Sequence, residues 1–284
     1  GEALRFGGRP LMQTAIANAL AVDIGPILVL DDAQLVSVLE PTAPLDVRLR
    51  APIGNDLEEG PHSFSAQEAA DRLVKYPTDT PEFQHLVTVH AITDAWLNAI
   101  GSDEVFKQIE ERIPQAPAED ADAVKDRKEI IGILRALAKG ERRFDTVPLD
   151  TSNSPDLDSS RIDTNKIGPV VERAFPYALL SSGVRPRVEI LNGAGGIAIT
   201  PPASARLVRA GFQVVLTGIK PSFDQEETQI LYYVDEHRAG AERIAATLGI
   251  GKVLINRKPV QVADIPVVLG ADYVPAPEFS LKRE

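Results

Sequence analysis

Two strand–helix–strand patterns follow one another over residues 187–269, and they constrain the fold more than any other feature of the chain. Each pattern starts with an apolar run, continues into a helix-like segment and returns to an apolar run after a glycine. Gly211 and Gly249 end the two predicted helices, at positions where a positive φ is often required. Units of this kind build one sheet with its helices on a face, which predicts a compact α/β domain over residues 184–276.

The chain before residue 178 is predicted to form a second domain, because a Pro-, Ser- and Gly-containing stretch near residue 180 separates the two halves. The boundaries drawn from the sequence are therefore 1–178 and 184–276. In the first domain the predicted elements are a helix behind Pro10, a strand at 27–30, a helix stopped by Pro41, a strand-like segment at 45–53, helices at 64–77, 81–100 and 102–113, a helix ending at Lys139, a strand-like segment at 142–149 and a helix at 167–175. The predicted fold class is α/β with two domains.

Helix caps and the helical period give the sharpest local predictions. Ser65 and Glu68 have the spacing of a capping box. Asp31 follows an apolar run, where a carboxylate could hold Mg²⁺, but we interpret it as the cap of the next helix. Thr200 is predicted to cap a helix whose first residue is a proline. Trp96 keeps the apolar period of its helix and is therefore interpreted as a core residue.

Composition excludes several classes of function. The formal net charge is −11 and no basic run exceeds two residues, which argues against a nucleic-acid partner. The chain has no cysteine and only four histidines, so we expect no transition-metal site, and no motif indicates a cofactor. No run of about 18 apolar residues is present to form a membrane span. The abrupt start at Gly1 predicts a longer protein whose membrane anchor lies upstream.

Glycines follow the first strand of the second domain, at the place where a nucleotide-binding turn holds phosphate. The turn begins with Asn192 and contains Gly193, Gly195 and Gly196. A dinucleotide fingerprint requires a further glycine where this chain has Ala198, and an acidic residue after the next strand, which this chain lacks. We interpret the segment as an ordinary strand-to-helix turn and keep a cytosolic nucleotide-binding protein as an alternative.

The second domain resembles the LytR C-terminal domain of bacterial envelope proteins over residues 188–273. The resemblance is carried, in the order of the family pattern, by the segments VEILNGAGG, ARLVRAGFQVV, TQILYYV, AERIAATLG and VVLGADY. It implies a cell-envelope protein. In such proteins this domain commonly follows a LytR-CpsA-Psr domain, whose members transfer lipid-linked glycopolymers onto peptidoglycan.

The first domain resembles the later part of a LytR-CpsA-Psr domain over about residues 6–100. The segments that carry this likeness are FGGRPLMQTAIANALAVDIGPILVLDDAQLVSVLEP and GPHSFSAQEAADRLVKYP. The resemblance implies a mixed sheet flanked by helices, and a site in which arginine side chains clamp a pyrophosphate. At the family's arginine positions this chain has Val74, Tyr76, His85 and Thr88, with Lys75 between the first two. These five residues are therefore the candidates for a binding groove in a degenerate domain that lacks the family's arginines.

The residues and the resemblance together predict an exported, membrane-tethered envelope protein that acts by binding and has no catalytic residue. Its expected role is that of an accessory or scaffold on the extracytoplasmic side of the bacterial membrane. Its expected partners are a cell-wall polymer, a lipid-linked precursor or other envelope proteins. Two alternatives stay open: a phosphotransferase that attaches glycopolymers to peptidoglycan with residues upstream of Gly1, and the nucleotide-binding protein described above.

Overall fold

The chain folds into two compact units. The computed structural model describes residues 2–54, 56–75, 82–118, 120–140, 147–150, 161–163, 166–176, 179–181, 184–195, 199–257 and 262–274. The middle unit comprises residues 26–161, and the C-terminal unit comprises residues 162–284 together with residues 1–25. Both units combine helices and strands, so the predicted fold class is confirmed.

The first helix, α1 (Glu2–Leu20), belongs to the C-terminal unit. It is kinked at Gly8, whose φ of 62° and ψ of −160° are not helical. Pro10 lies just after the kink, in the first turn of the second segment, where its missing N–H leaves no helical hydrogen bond unmade. The helix predicted behind Pro10 is therefore confirmed. Neither α1 nor any other helix in the described ranges is both long and apolar enough to cross a membrane.

The middle unit packs helices around an antiparallel strand pair. Its elements are α2 (Asp32–Leu39), a 3-10 turn (Glu40–Thr42), β1 (Leu45–Leu49), β2 (Gly60–Phe64), α3 (Ala66–Val74), α4 (Glu82–Ala99), α5 (Asp103–Arg112) and α6 (Ala121–Lys139), followed by the short strands β3 (Leu149–Asp150) and β4 (Arg161–Ile162). β1 pairs with β2 from Leu45 opposite Phe64 to Leu49 opposite Gly60. The alternate, buried residues of β1 join α2, α3 and α4 in one apolar cluster. A second cluster forms around Phe106 of α5 and includes Ile131 of α6.

The predicted caps of this unit are confirmed. The Ser65 hydroxyl accepts the backbone N–H of Glu68, and the Glu68 carboxylate accepts the backbone N–H of Ser65 at 2.8 Å. Asp31 and Gln34 form the same reciprocal pair at the start of α2. Each pair satisfies backbone donors that the first turn of a helix leaves without partners.

The apolar run at 27–30 does not form the predicted strand. Within the described ranges these residues have no strand partner, and Leu28 and Leu30 pack against the second apolar cluster instead. Burial against helices satisfies an apolar run as well as a sheet does, so hydrophobicity alone could not separate the two outcomes. Trp96 is partly buried against both clusters, which confirms its interpretation as a core residue.

The C-terminal unit contains the predicted strand–helix–strand units in one five-stranded sheet. Its elements are α7 (Ile167–Ala174), β5 (Arg187–Asn192), α8 (Thr200–Arg209), β6 (Gln213–Ile219), β7 (Gln229–Tyr232), a 3-10 turn (Asp235–His237), α9 (Arg238–Leu248), β8 (Lys252–Ile255) and β9 (Ile265–Leu269). The strand order is β6-β5-β9-β7-β8. β5 runs parallel to β6 and β9, whereas β7 runs antiparallel to β9 and parallel to β8.

Helices α8 and α9 pack on one face of this sheet. Their buried residues Leu207 and Ile244 share a cluster with Val188, Ile230 and Val267 from the strands. Because side chains alternate along a strand, these contacts place both helices on the same face. This arrangement is the one that the strand–helix–strand patterns predict.

The ends of α8 and α9 differ in how well the sequence indicates them. Gly211 (φ 86°) and Gly249 (φ 77°) have the left-handed conformation expected after a helix. Thr200 is not the cap of α8: Ile199 holds that position, and no side chain caps the helix. Thr200 is the first residue of the helix, and Pro201 and Pro202 follow it. Because prolines carry no N–H, the first turn has fewer donors for a cap to satisfy.

The compact units divide the chain differently from the sequence-based boundaries at 1–178 and 184–276. Asn18 of α1 donates through Nδ2 to the Val214 carbonyl oxygen at 2.7 Å and accepts the Val214 N–H through Oδ1 at 3.0 Å. Arg185 donates to the Asn18 carbonyl oxygen at 2.7 Å. These contacts join residues that are distant in sequence, so no local pattern indicates them. The predicted boundaries stay a prediction about which segments fold alone.

Candidate functional site

The predicted groove positions begin at the end of α3. Val74 is the last residue of this helix, and its side chain is 55% exposed. Lys75 forms an ion pair with Asp71 at 2.9 Å. The hydrogen bond from Lys75, followed by one from Gln67, holds the pKa of Asp71 below its usual value. The charge of Lys75 is therefore already balanced by a carboxylate one helical turn away.

The remaining predicted positions fall near the start of α4. Thr88 is only 3% exposed, and its hydroxyl donates to the Gln84 carbonyl oxygen at 3.0 Å. His85 is partly buried, and Tyr76 lies outside the described residues. The side chain of Thr88 is thus occupied within its own helix. Ligand binding by these positions stays a prediction.

A groove opens elsewhere in the middle unit, between β1 and α4. Its volume is about 630 Å³. The lining residues are Asp46, Arg48, Leu49 and Arg50 from β1 and the residue after it, and Val87, His90, Ala91, Asp94, Ala95 and Asn98 from α4. Ala91 and Ala95 are small, which leaves room between the helix and the strand. None of the predicted positions on α3 and α4 is among these residues.

Positively and negatively charged side chains line this groove. Arg48 and Arg50 are exposed and lie two residues apart, so their Cα atoms are about 7 Å apart on the same side of the chain. Neither arginine forms an ion pair with any residue that the structure describes. On the other side of the groove, Asn98 donates to Asp94 at 3.1 Å. A guanidinium group binds phosphate or carboxylate through two hydrogen bonds, whereas carboxylates and amides bind hydroxyl groups.

No motif in the sequence indicates this groove as a whole, although two residue patterns indicate its two sides. The residues at 46, 48 and 50 are charged and alternate with buried apolar residues, so they share one face of the strand. His90, Asp94 and Asn98 recur every four residues and share one face of α4. Neither pattern indicates that the two faces meet, because that contact forms only when β1 packs on α4.

The groove is suited to hydrogen bonding more than to cation coordination. Asp46 lies on β1 and accepts a hydrogen bond from Ser63 at 3.0 Å, while Asp94 lies on α4 and accepts one from Asn98. Across the described residues, no group of three or more His, Asp or Glu side chains is arranged to hold a metal ion. The groove thus has guanidinium groups on the β1 side and carboxylate and amide groups on the α4 side.

The glycine turn of the C-terminal unit uses its own backbone donors. Asn192 is 8% exposed, and its Oδ1 accepts the N–H groups of Ala194 at 3.0 Å and Gly195 at 3.1 Å. The N–H of Gly193 donates to the Leu269 carbonyl oxygen at 2.9 Å. A phosphate-binding turn needs free N–H groups that point at the ligand. In the described part of the turn, residues 193–195 all have their N–H groups paired.

The glycines of this turn are explained by close packing. A Cβ atom at Gly193 would lie 2.6 Å from the Cβ of Gln225, and one at Gly195 would lie 2.8 Å from the ring of Phe223. Gly195 also has a φ of 70°, which strains residues with a side chain. Gly196 lies outside the described residues. These contacts favour the predicted ordinary turn over the nucleotide-binding alternative.

The C-terminal unit belongs to a recognisable class of module, a small α/β domain with both crossover helices on one face of its sheet. Residues 185–273 match the family described as LytR cell envelope-related transcriptional attenuator. This segment is a LytR C-terminal domain, as the sequence motifs predict, and the chain is therefore a cell-envelope-related protein. No curated protein matches the chain in sequence.

Several solved structures are similar to parts of the chain. The crystal structure of B. subtilis TagV is 14% identical, with 62% of this chain and 74% of that chain covered and a TM-score of 0.43. B. subtilis TagU is 13% identical, with 64% and 77% covered and a TM-score of 0.39. The C-terminal domain of RV0431 is 19% identical, with 46% and 96% covered and a TM-score of 0.24.

Proposed function

We propose that this protein is a non-catalytic accessory or scaffold of the cell envelope that binds a cell-wall polymer or its lipid-linked precursor. The LytR C-terminal domain supports an association with the envelope and, at the coarse level of the family, with wall polymers. The charged groove between β1 and α4 carries the binding role, because Arg48 and Arg50 there face the polar residues of α4. An extracytoplasmic location belongs to the same proposal.

The proposal includes the absence of phosphotransfer. A leaving pyrophosphate requires fixed cationic donors, and each such donor contributes a few kcal/mol of transition-state stabilisation. At the positions of the family's arginines, Val74 is apolar and Thr88 is buried, while the neighbouring Lys75 is paired with Asp71. The degenerate LytR-CpsA-Psr-like character of the first domain is part of this proposal and rests on those positions.

A polymer that carries repeated anions and hydroxyl groups fits the chemistry of the groove. Arg48 and Arg50 supply two guanidinium groups, and Asp94 and Asn98 supply hydrogen-bonding groups on the facing helix. The formal net charge of the whole chain is −11, so attraction of a polyanion depends on this local pair of cations. Binding is therefore expected to weaken as salt is added.

Calorimetric titration with a poly(glycerol phosphate) polymer tests the binding role, with neutral dextran as the comparison ligand. The double substitution Arg48→Ala/Arg50→Ala is expected to raise the dissociation constant at least about tenfold, because it removes the anion-binding groups. The control is Lys125→Ala/Lys128→Ala, which removes the same charge from exposed positions of α6. An equal loss in both variants, or no binding by the unmodified protein, would contradict the proposal.

A second assay separates binding from catalysis. Mg²⁺-dependent release of polyprenyl phosphate from a pyrophosphate-linked donor is measured with the unmodified protein. We expect no turnover above the protein-free rate. Turnover would support the phosphotransferase alternative in place of the non-catalytic role.

A further inference from the structure

The edge strand β6 is closed along its first half. Asn18 of α1 pairs with both the N–H and the carbonyl oxygen of Val214, as a neighbouring strand would. The next residue, Val215, forms a bulge, because Val188 pairs with Val214 and Glu189 pairs with Leu216. A bulge and a covering side chain are both devices that prevent pairing at a sheet edge.

The second half of β6 is open. The N–H of Lys220 points inward and donates to the Asn192 carbonyl oxygen at 2.9 Å. Backbone groups alternate in direction along a strand, so those of Thr217 and Ile219 point outward. Within the described ranges no backbone group pairs with them. Leu216, Thr217 and Ile219 are exposed along this half, and the two apolar residues among them are 41% (Leu216) and 66% (Ile219) exposed.

We propose that a second copy of this chain occupies this edge through antiparallel pairing of the two β6 strands about a two-fold axis at Gly218. In that register Thr217 lies opposite Ile219 of the partner, and the reverse pair follows by symmetry. Each such pair exchanges two N–H···O bonds, so every outward backbone group is satisfied. Leu216 lies opposite Lys220, and no like charges face each other. The contact uses the same patch on both copies and closes at a dimer.

The covered half of β6 is compatible with this pairing. Each β6 strand ends at Ile219, and Pro221 follows two residues later. In the proposed register the partner strand therefore ends before it reaches the position of Asn18. The side chain of Asn18 and the partner strand extend the hydrogen bonding of β6 one after the other along the same edge.

The opposite edge of the sheet, β8, is protected by charge. Lys252 begins the strand and forms an ion pair with Glu227, and Arg257 follows its end. A strand that paired with β8 would have to accommodate the Lys252–Glu227 ion pair at one end of β8 and Arg257 beyond the other. Flanking cations of this kind commonly block edge pairing. The two-fold axis of the β6 contact closes the assembly at a dimer.

Sedimentation equilibrium of the full chain tests this proposal. The short strand pair buries little surface, so we expect a reversible dimer with a dissociation constant on the order of 10 to 100 µM. Thr217→Pro removes an outward N–H without removing a hydrogen bond inside the sheet, and it should raise this constant at least about tenfold. The matched control is Ile255→Pro, which removes an outward N–H from β8 and should leave the dimer unchanged. Circular dichroism checks that both variants remain folded.

Each outcome decides the proposal. A chain that stays monomeric up to about 500 µM overturns it, since the expected constant lies well below that concentration. A dimer that survives Thr217→Pro, or that is lost in the folded Ile255→Pro variant, contradicts the β6 contact and also overturns the proposal. Loss of the dimer in Thr217→Pro alone supports it. Polymer binding by the groove is a separate property, so neither result depends on the proposed function.

Discussion

At the residue scale, Asn18 links α1 to two other segments of the C-terminal unit. Besides pairing with Val214, Asn18 accepts a hydrogen bond from Arg185 at its backbone carbonyl oxygen. The guanidinium of Arg185 also donates to the carbonyl oxygens of Gly211 and Phe212. Burial lowers the pKa of Arg185, which reflects the cost of removing this charge from water. The hydrogen bonds offset that cost. Asn18 couples α1 to this partly buried cation mainly through its backbone carbonyl oxygen, and its Oδ1 accepts a longer hydrogen bond from Arg185 at 3.4 Å.

We predict that Asn18→Ala lowers the free energy of unfolding by about 1–3 kcal/mol, because the part-buried N–H and carbonyl oxygen of Val214 lose their partner. Urea unfolding monitored by circular dichroism measures the change. Gln13→Ala is the control: Gln13 also donates to a backbone carbonyl, at 2.7 Å to Gly25, but that hydrogen bond is exposed to solvent. Its substitution should change the free energy by no more than about 0.5 kcal/mol. Equal effects of the two substitutions would show that Asn18 is not a specific link.

A second prediction concerns the position of a family arginine. Thr88→Arg is expected to lower the free energy of unfolding by about 3 kcal/mol or more, since it places a charged side chain at a site that is 3% exposed. Val74→Arg lies at an exposed helix end and should be almost neutral. Thermal unfolding of the two variants measures the difference. A Thr88→Arg protein as stable as Val74→Arg would mean that position 88 opens to solvent, and would strengthen the phosphotransferase alternative.

At the element scale, the capping box of α3 gives a prediction about pH. The hydrogen bonds from the side chain and backbone of Ser65 lower the pKa of Glu68 from its usual 4.5. A carboxyl group with a lowered pKa in the folded state stabilises the fold above its unfolded pKa, and this contribution is lost as the pH falls through the lowered value. Ser65→Ala should therefore lower the free energy of unfolding by about 1 kcal/mol near neutral pH, and by less as the pH falls below 4.5. Urea unfolding over a pH series measures this, and Glu68→Gln should remove the pH dependence.

Elements that depend on neighbours in sequence could be predicted, and elements that depend on distant partners could not. Ser65 and Glu68 are three residues apart, so the sequence alone contains everything their pairing needs. The run at 27–30 has no such partner, and its apolar side chains pack against helices that begin many residues later. The same limit applies to the candidate site: Arg48 and Asp94 come together only when β1 packs against α4. Resemblance to a family identified the LytR C-terminal domain, but it could not place a groove that lies outside residues 185–273.

At the scale of the whole molecule, the C-terminal unit is larger than its family match. The match covers residues 185–273, whereas the compact unit adds residues 1–25 and the segment from residue 162. A second contact, besides those of Asn18, ties the start of the chain to this unit. The N–H of Leu180 donates to the carbonyl oxygen of Ala21 at 2.9 Å. The LytR C-terminal domain here is thus completed by a helix that precedes it by more than a hundred residues of sequence.

The last prediction tests whether α1 is a required part of the C-terminal unit. A fragment of residues 184–276 is predicted to fold alone, because it contains the whole five-stranded sheet and both crossover helices. A fragment that begins at residue 162 should bind a peptide of residues 2–25, since α1 packs on α8 and pairs with β6. A peptide that binds the folded fragment but not the unfolded one raises the free energy of unfolding. The increase is about 2.7 kcal/mol at a peptide concentration of 100 times the dissociation constant. The melting temperature of the longer fragment should therefore rise with added peptide and should rise much less with the Asn18→Ala peptide. Identical melting curves with and without either peptide would show that α1 contributes nothing to this unit, and a fragment 184–276 without a cooperative transition would show that the predicted boundary is misplaced.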